Sequence, residues 1–149
     1  MGQAMFDRDF KEFIESLNEN KVDYLVVGGY AVAFHGHPRY TKDMDVWVRR
    51  DRGNAERLVQ ALNDFGFGDL GLSVEDFMEP ESVVQLGYPP NRIDLLSDLK
   101  GVDFDRCYLS KIEVDIEGVS VNFVDLENLK KNKEATGRHQ DLADLEQLG

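Results

Sequence analysis

The passage from Val22 to Val48 constrains this chain more than any other. Residues 22–27 are short, β-branched and aromatic, and the run halts at Gly28-Gly29, so it reads as a buried strand. Residues 30–34 are apolar and suit a helix beginning directly after the glycines. A polar loop follows, and then a second strand-type run, residues 43–48. A helix N-terminus presents free backbone N–H groups and the positive end of the macrodipole, and glycine lets an anion approach that backbone closely. Gly28 and Gly29 are therefore a candidate phosphate cradle, set against the plainer reading of a strand-to-helix turn.

Within residues 43–48 the side chains alternate. Met44, Val46 and Val48 share one face, and Asp43, Asp45 and Trp47 share the other. Two carboxylates on one face repel each other and resist burial. A hard divalent cation, magnesium or manganese, resolves the conflict through oxygen ligands; the competing reading is a solvent-facing edge strand. Residues 83–86 and 92–96 flank Gly87-Tyr88-Pro89-Pro90-Asn91, a hairpin signal, and Asp94 lies between Ile93 and Leu95. If that strand neighbours the Asp43 strand, three carboxylates surround one or two ions. Two such ions can bind both the attacking and the leaving oxygen of a phosphoryl transfer.

Gly28-Gly29, thirteen intervening residues, Asp43-Met44-Asp45-Val46 and Ile93-Asp94-Leu95 follow in an order that resembles the nucleotidyltransferase superfamily related to DNA polymerase β, in its small-domain branch. The closing Gly137-Arg138-His139-Gln140-Asp141-Leu142-Ala143-Asp144-Leu145 resembles a tail of small bacterial members, so the likeness covers residues 22–148. The resemblance implies an α/β (α+β) nucleotidyltransferase fold. In it a mixed sheet, with the Asp43/Asp45 and Asp94 strands adjacent, is flanked by helices and followed by C-terminal helices. It implies transfer of a nucleoside monophosphate from a nucleoside triphosphate such as ATP to an acceptor hydroxyl, with release of pyrophosphate. Asp43, Asp45 and Asp94 would hold two magnesium ions, with manganese as a substitute, and Asp94 would help take the hydroxyl proton. Gly28 and Gly29 would hold the β and γ phosphates. Lys133 and Arg138 would reach nucleotide phosphates from across the cleft.

The loop before Asp43 adds Arg39 and Lys42, either of which could neutralise a triphosphate, arginine being the better bidentate partner. His35 and His37 have metal-like spacing, but zinc would need further ligands. The resemblance leaves the acceptor open among a small antibiotic-like alcohol, a transfer RNA end and a protein hydroxyl. Toxins of toxin–antitoxin pairs in the resembled family act on macromolecules, so a homodimer or a partner subunit is a further expectation. A different class of reading makes the chain a non-catalytic nucleotide-sensing or interaction module. A purely structural reading would leave Asp43 and Asp94 far apart.

The 149 residues suffice for one domain, 1–149, with a sizeable core. Seventeen basic against 29 acidic residues give a net charge of −12, which disfavours general nucleic-acid binding. Arg49, Arg50 and Arg52 form a local basic run. No apolar run is long enough to span a bilayer, and Gly2-Gln3-Ala4 does not read as a secretory signal. Cys107 stands alone, so neither a disulfide framework nor a cysteine zinc site is expected. A cytoplasmic location and no membrane partner fit these features.

Elsewhere, Phe6, Phe10, Phe13, Ile14 and Leu17 predict an amphipathic helix over 6–17. Asn54 reads as the N-cap of a crossover helix that stops near Gly66. Residues 66–82 are glycine-rich and acidic, with a short helix expected near 73–78. A second short helix is expected over 103–110, then a hairpin of residues 112–116 and 119–123 with Glu113 and Asp115 facing solvent. Asp125 caps a helix over 126–135, Gly137 breaks it, and 141–148 form a last helix with Leu142, Leu145 and Leu148.

Overall fold

Phe10, Phe13, Ile14 and Leu17 form the buried stripe of helix α1 (Arg8–Glu19) in the computed structural model, which describes residues 8–36, 43–87 and 92–148. The chain turns at Lys21, whose φ is +57°, and enters β1 (Tyr24–Val27), buried at every position. Helix α2 (Gly28–His35) begins at the first glycine itself. Strand β2 (Met44–Val48) leads to α3 (Arg52–Phe65), which Gly66 ends in the left-handed region at φ +106°.

The cap of α3 is Asp51 rather than Asn54. The Asp51 carboxylate accepts the Asn54 backbone N–H at 3.1 Å. The Asn54 side chain instead turns inward. It accepts the Asp23 N–H at 2.7 Å and donates to the Asp23 and Arg49 carbonyls at 3.1 and 3.0 Å, tying the start of β1 to the end of β2. Aspartate and asparagine cap equally well, so packing decides between two such residues three apart.

Two short 3₁₀ turns follow, Gly68–Leu70 and Val74–Phe77; Ser73 and Asp76 form a reciprocal capping box on the second. Then come β3 (Val83–Leu86), β4 (Ile93–Leu96), α4 (Phe104–Leu109), β5 (Ile112–Ile116), β6 (Val119–Phe123), α5 (Leu126–Thr136) and α6 (His139–Leu148). Among the described residues six strands form one mixed sheet in the order β3-β4-β2-β1-β6-β5. β2 runs antiparallel to β1 and parallel to β4, and β1 runs parallel to β6. The hairpins β3/β4 and β5/β6 close the two sides, with Glu113 and Asp115 exposed as expected. The architecture is the expected mixed α/β sheet flanked by helices.

β2 is therefore an inner strand, which rules out the edge-strand reading of its acids. Trp47 is 2% exposed and meets Phe104 of α4 edge-on, with ring centroids 5.0 Å apart. α1 and α3 pack together through Phe13 and Phe65, also edge-on at 5.4 Å. Each arginine of the basic run is committed to an acid. Arg49 bonds Asp23 at 2.9 Å and also Asp105, Arg50 lies 3.6 Å from Asp98, and Arg52 lies 3.0 Å from Glu75. Arg49 further stacks over the rings of Phe104 and Tyr108. The run is an anchor for α4 and the Val74–Phe77 turn rather than a free basic patch. Cys107 is fully buried, and burial pushes its thiol up to about 11, so it packs rather than reacts.

Candidate active site

The strand–glycine junction brings the backbone of Gly28 against the carboxylate of Asp45. Gly28 sits at φ +67°, and a Cβ built there would collide with the Asp45 carboxylate, lying 3.0 Å from its Cγ. Both facts demand glycine. Val27 precedes α2 without a side-chain cap, so the first-turn N–H groups of α2 are offered at the end of β1.

Strand register assembles the acids. Val27 pairs with Asp45 across β1/β2, and Asp45 pairs with Asp94 across the parallel β2/β4 ladder. Asp43 immediately precedes β2. The Arg92 guanidinium joins the outer two: Nε donates to Asp94 Oδ1 at 3.0 Å, and Nη2 donates to Asp94 Oδ2 at 3.3 Å and to Asp43 Oδ2 at 2.9 Å. Asp43 and Asp94 thus lie within the span of one guanidinium, and the reading that kept them far apart fails. Burial first, then the charges of Asp94 and Asp43, push the Asp45 carboxyl up to about 6, against the opposing pull of Lys133 and Arg92. The hydrogen bond to Asp94 and the charges of the three acids hold Arg92 firmly protonated.

Behind this cluster the C-terminal helices form a second polar knot. Lys133 is buried, with Nζ 3.2 Å from Asp141 Oδ1 and 3.1 Å from Asp144 Oδ2. Asp141, fully buried, also accepts from Thr136 Oγ1 at 2.6 Å and from Arg138 Nε at 2.7 Å. Burial alone would raise the Asp141 carboxyl, but the hydrogen bonds from Arg138, Thr136 and Lys133 hold it well below the carboxylate range. Helix α6 thus turns Asp141 and Asp144 inward, while Leu142, expected on its apolar face, is 50% exposed. The reason is the buried ammonium of Lys133, which needs anionic partners more than the core needs another leucine. The charges of Lys133 and Arg138 both act on Asp45, so the knot borders the carboxylate cluster. Arg138 keeps its side chain 73% exposed.

Of the other sequence candidates, Arg39, Lys42 and His37 lie outside the described residues. His35 Nε2 stands 2.7 Å from the Val124 carbonyl, and its ring lies edge-on to Phe34, which ties the end of α2 to the segment after β6. Sequence reasoning passed over Arg92, Asp141 and Asp144. Period-two spacing puts Arg92 on the face of Asp94, and helical spacing puts Asp141 and Asp144 together; both signals were available.

Asp43, Asp45 and Asp94 lie near one another and carry oxygens of the kind that suit a hard divalent cation, and Asp45 resists ionisation. Among the described residues no three acid, histidine or cysteine side chains stand in a metal-holding arrangement. The guanidinium of Arg92 lies between two of the three acids.

The chain belongs to the family described as "Nucleotidyl transferase of unknown function (DUF2204)", whose profile matches residues 6–149. No curated protein sequence matches it. Its fold is similar to that of a nucleotidyltransferase-type protein of Thermotoga maritima, with a TM-score of 0.63, 18% identity, and 93% of this chain and 89% of that one covered. An antigenic nucleotidyltransferase-like protein of Paracoccidioides brasiliensis is similar at a TM-score of 0.55 and 20% identity, over 93% of this chain and 72% of that one. The lincomycin-bound lincosamide antibiotic adenylyltransferase LnuA is similar at a TM-score of 0.57 and 12% identity, over 98% of both chains. Among the described residues no helix is long and apolar enough to cross a membrane.

Proposed function

We infer that this chain, acting as one nucleotidyltransferase unit, moves a nucleoside monophosphate from a nucleoside triphosphate to an acceptor hydroxyl in a metal-dependent reaction. The observation that carries the reading is the gathering of Asp43, Asp45 and Asp94 beside the open first turn of α2. Backbone N–H groups at Gly28 and Gly29 would receive the β and γ phosphates, aided by the helix dipole. Asp43 and Asp45, with Asp94, are the residues that would hold two divalent ions, magnesium by preference and manganese as a substitute. Such ions would supply charge neutralisation for the triphosphate and for the leaving pyrophosphate. Asp94 would accept the proton of the acceptor hydroxyl as its oxygen bonds to the α phosphorus and the bond to the β-phosphate oxygen breaks. Lys133, held rigid by Asp141 and Asp144, would set a fixed positive charge beside the nucleotide, with Arg138 at the exposed rim. Arg39 and Lys42 would approach from the loop preceding Asp43.

For the acceptor, the charge of −12 and the pairing of Arg49, Arg50 and Arg52 with acids favour a small molecule or a protein hydroxyl over an RNA end. The likeness in extent to a lincosamide adenylyltransferase supports a small alcohol first. A macromolecular acceptor would bring in a partner subunit, a homodimer or a toxin–antitoxin setting. A nucleoside triphosphate donor implies work in the cytoplasm, where such nucleotides are made. A label-transfer assay tests the reading: protein, magnesium, each α-labelled nucleoside triphosphate and a cell extract, beside an Asp43→Ala, Asp45→Ala control. Label moving to an acceptor only with the intact protein is the expected result. Nucleotide binding without transfer would replace the enzyme with the nucleotide-sensing module, and no nucleotide binding would overturn both.

A further inference from the structure

The placement of Arg92 raises a question that the proposed reaction leaves open. A guanidinium that donates to Asp94 twice and to Asp43 once, at 2.9–3.3 Å, stands among the very oxygens a divalent ion would need. We propose that Arg92 is a resident cation of this cluster: in the metal-free protein it occupies the space between Asp43 and Asp94, and a divalent ion binds only by displacing it. This inference rests on the metal-dependent reading above.

Three observations carry it. First, only the side chain is free to leave. The Arg92 backbone carbonyl accepts the Met44 N–H at 3.0 Å, which pins the residue to the β2/β4 ladder. The side chain is 29% exposed and so has solvent to move into, while Asp94 keeps only 12% of its own side chain exposed. Second, the residue type suits the task. A planar fork can hold two carboxylates on separate strands at once, and its charge cannot be discharged by losing a proton. Third, the charges require some cation. Asp45 is flanked by Gly28 and by its strand partner Asp94, and although Lys133 and Arg138 act on it from the C-terminal helices, the pair Asp43 and Asp94 repels without a cation between them. Arg92 supplies one positive charge without metal, and the same charge repels an arriving dication. The site is thereby held in order when empty, and it resists a lone ion that comes without the nucleotide's own negative charge.

The test is a nucleotide-free Mn²⁺ titration, read by calorimetry or by the electron paramagnetic signal of free Mn²⁺, on wild-type, Arg92→Gln and Arg92→Lys proteins. Removing a unit charge this close to a dication should tighten Mn²⁺ binding about tenfold or more in Arg92→Gln. Arg92→Lys should fall between, since an ammonium holds one carboxylate at a time. A second measurement needs no substitution: the Arg92 Nε–H resonance of the wild type should move as Mg²⁺ is added and its bond to Asp94 is lost. Equal or weaker Mn²⁺ binding by folded Arg92→Gln, or an unmoved resonance in Mg²⁺-saturated protein, overturns the proposal and leaves the metal reading intact. Failure of both wild type and Arg92→Gln to bind Mn²⁺ at millimolar concentration overturns the two together.

Discussion

Replacing Asp45 by asparagine should stabilise the metal-free protein at neutral pH while abolishing its chemistry. The Asp45 carboxyl is raised from 3.8 to about 6 by burial and by the charges of Asp94 and Asp43. Below about pH 4 the group is protonated in both folded and unfolded chains and contributes nothing. Between about 4 and 6 the unfolded chain ionises while the folded one keeps its proton, so stability falls as pH rises. Above about 6 the full penalty is present. At about 1.4 kcal/mol per pH unit, two units amount to roughly 3 kcal/mol, and residual solvent access brings this to about 2–3 kcal/mol. The asparagine variant carries no such penalty. Thermal unfolding in a chelator should therefore show Asp45→Asn melting roughly 5–10 °C above wild type at pH 8, with the gain shrinking towards zero at pH 4. A gain of the same size at both pH values, or a loss at pH 8, would refute the claim that the ionised carboxylate is the source of strain.

Two further substitutions probe the elements around it. Gly28→Ala places a methyl group in the Asp45 carboxylate at a φ of +67°; urea unfolding should show a loss of about 2–4 kcal/mol together with loss of nucleotide binding, and unchanged stability would mean the turn has room. Asp141→Asn strips Lys133 and Arg138 of a shared buried partner and should cost about 3 kcal/mol at pH 7. Because the Asp141 carboxyl is held below its ordinary range, the stability it contributes is present above about pH 4 and lost as pH falls further, so the variant's acid limb should be flatter than wild type's. An unaltered acid limb would show that Asp141 is not the group being titrated.

The elements, and the acids that the candidate site gathers, were legible in the one-dimensional pattern. Helical spacing of Phe10, Phe13, Ile14 and Leu17, the halt at Gly28-Gly29, the alternation through Asp45 and the two hairpins each express a local rule, readable within a few residues. That Asp43, Asp45 and Asp94 would come near one another was also expected, because period two puts the first two on one face and the resemblance supplied the third. The resemblance implied that these strands are neighbours; only the tertiary structure decided that β2 and β4 run parallel with Asp45 opposite Asp94, since ladder register depends on which faces are buried together. Only the fold could give Arg92 to two acids 49 and 2 positions away, hand the cap of α3 to Asp51, spend Arg49, Arg50 and Arg52 on anchoring contacts, and turn Asp141 and Asp144 inward towards Lys133. Each of these turns on the partner a charged or polar side chain finds once water is excluded, and that partner is set by distance in space rather than along the chain.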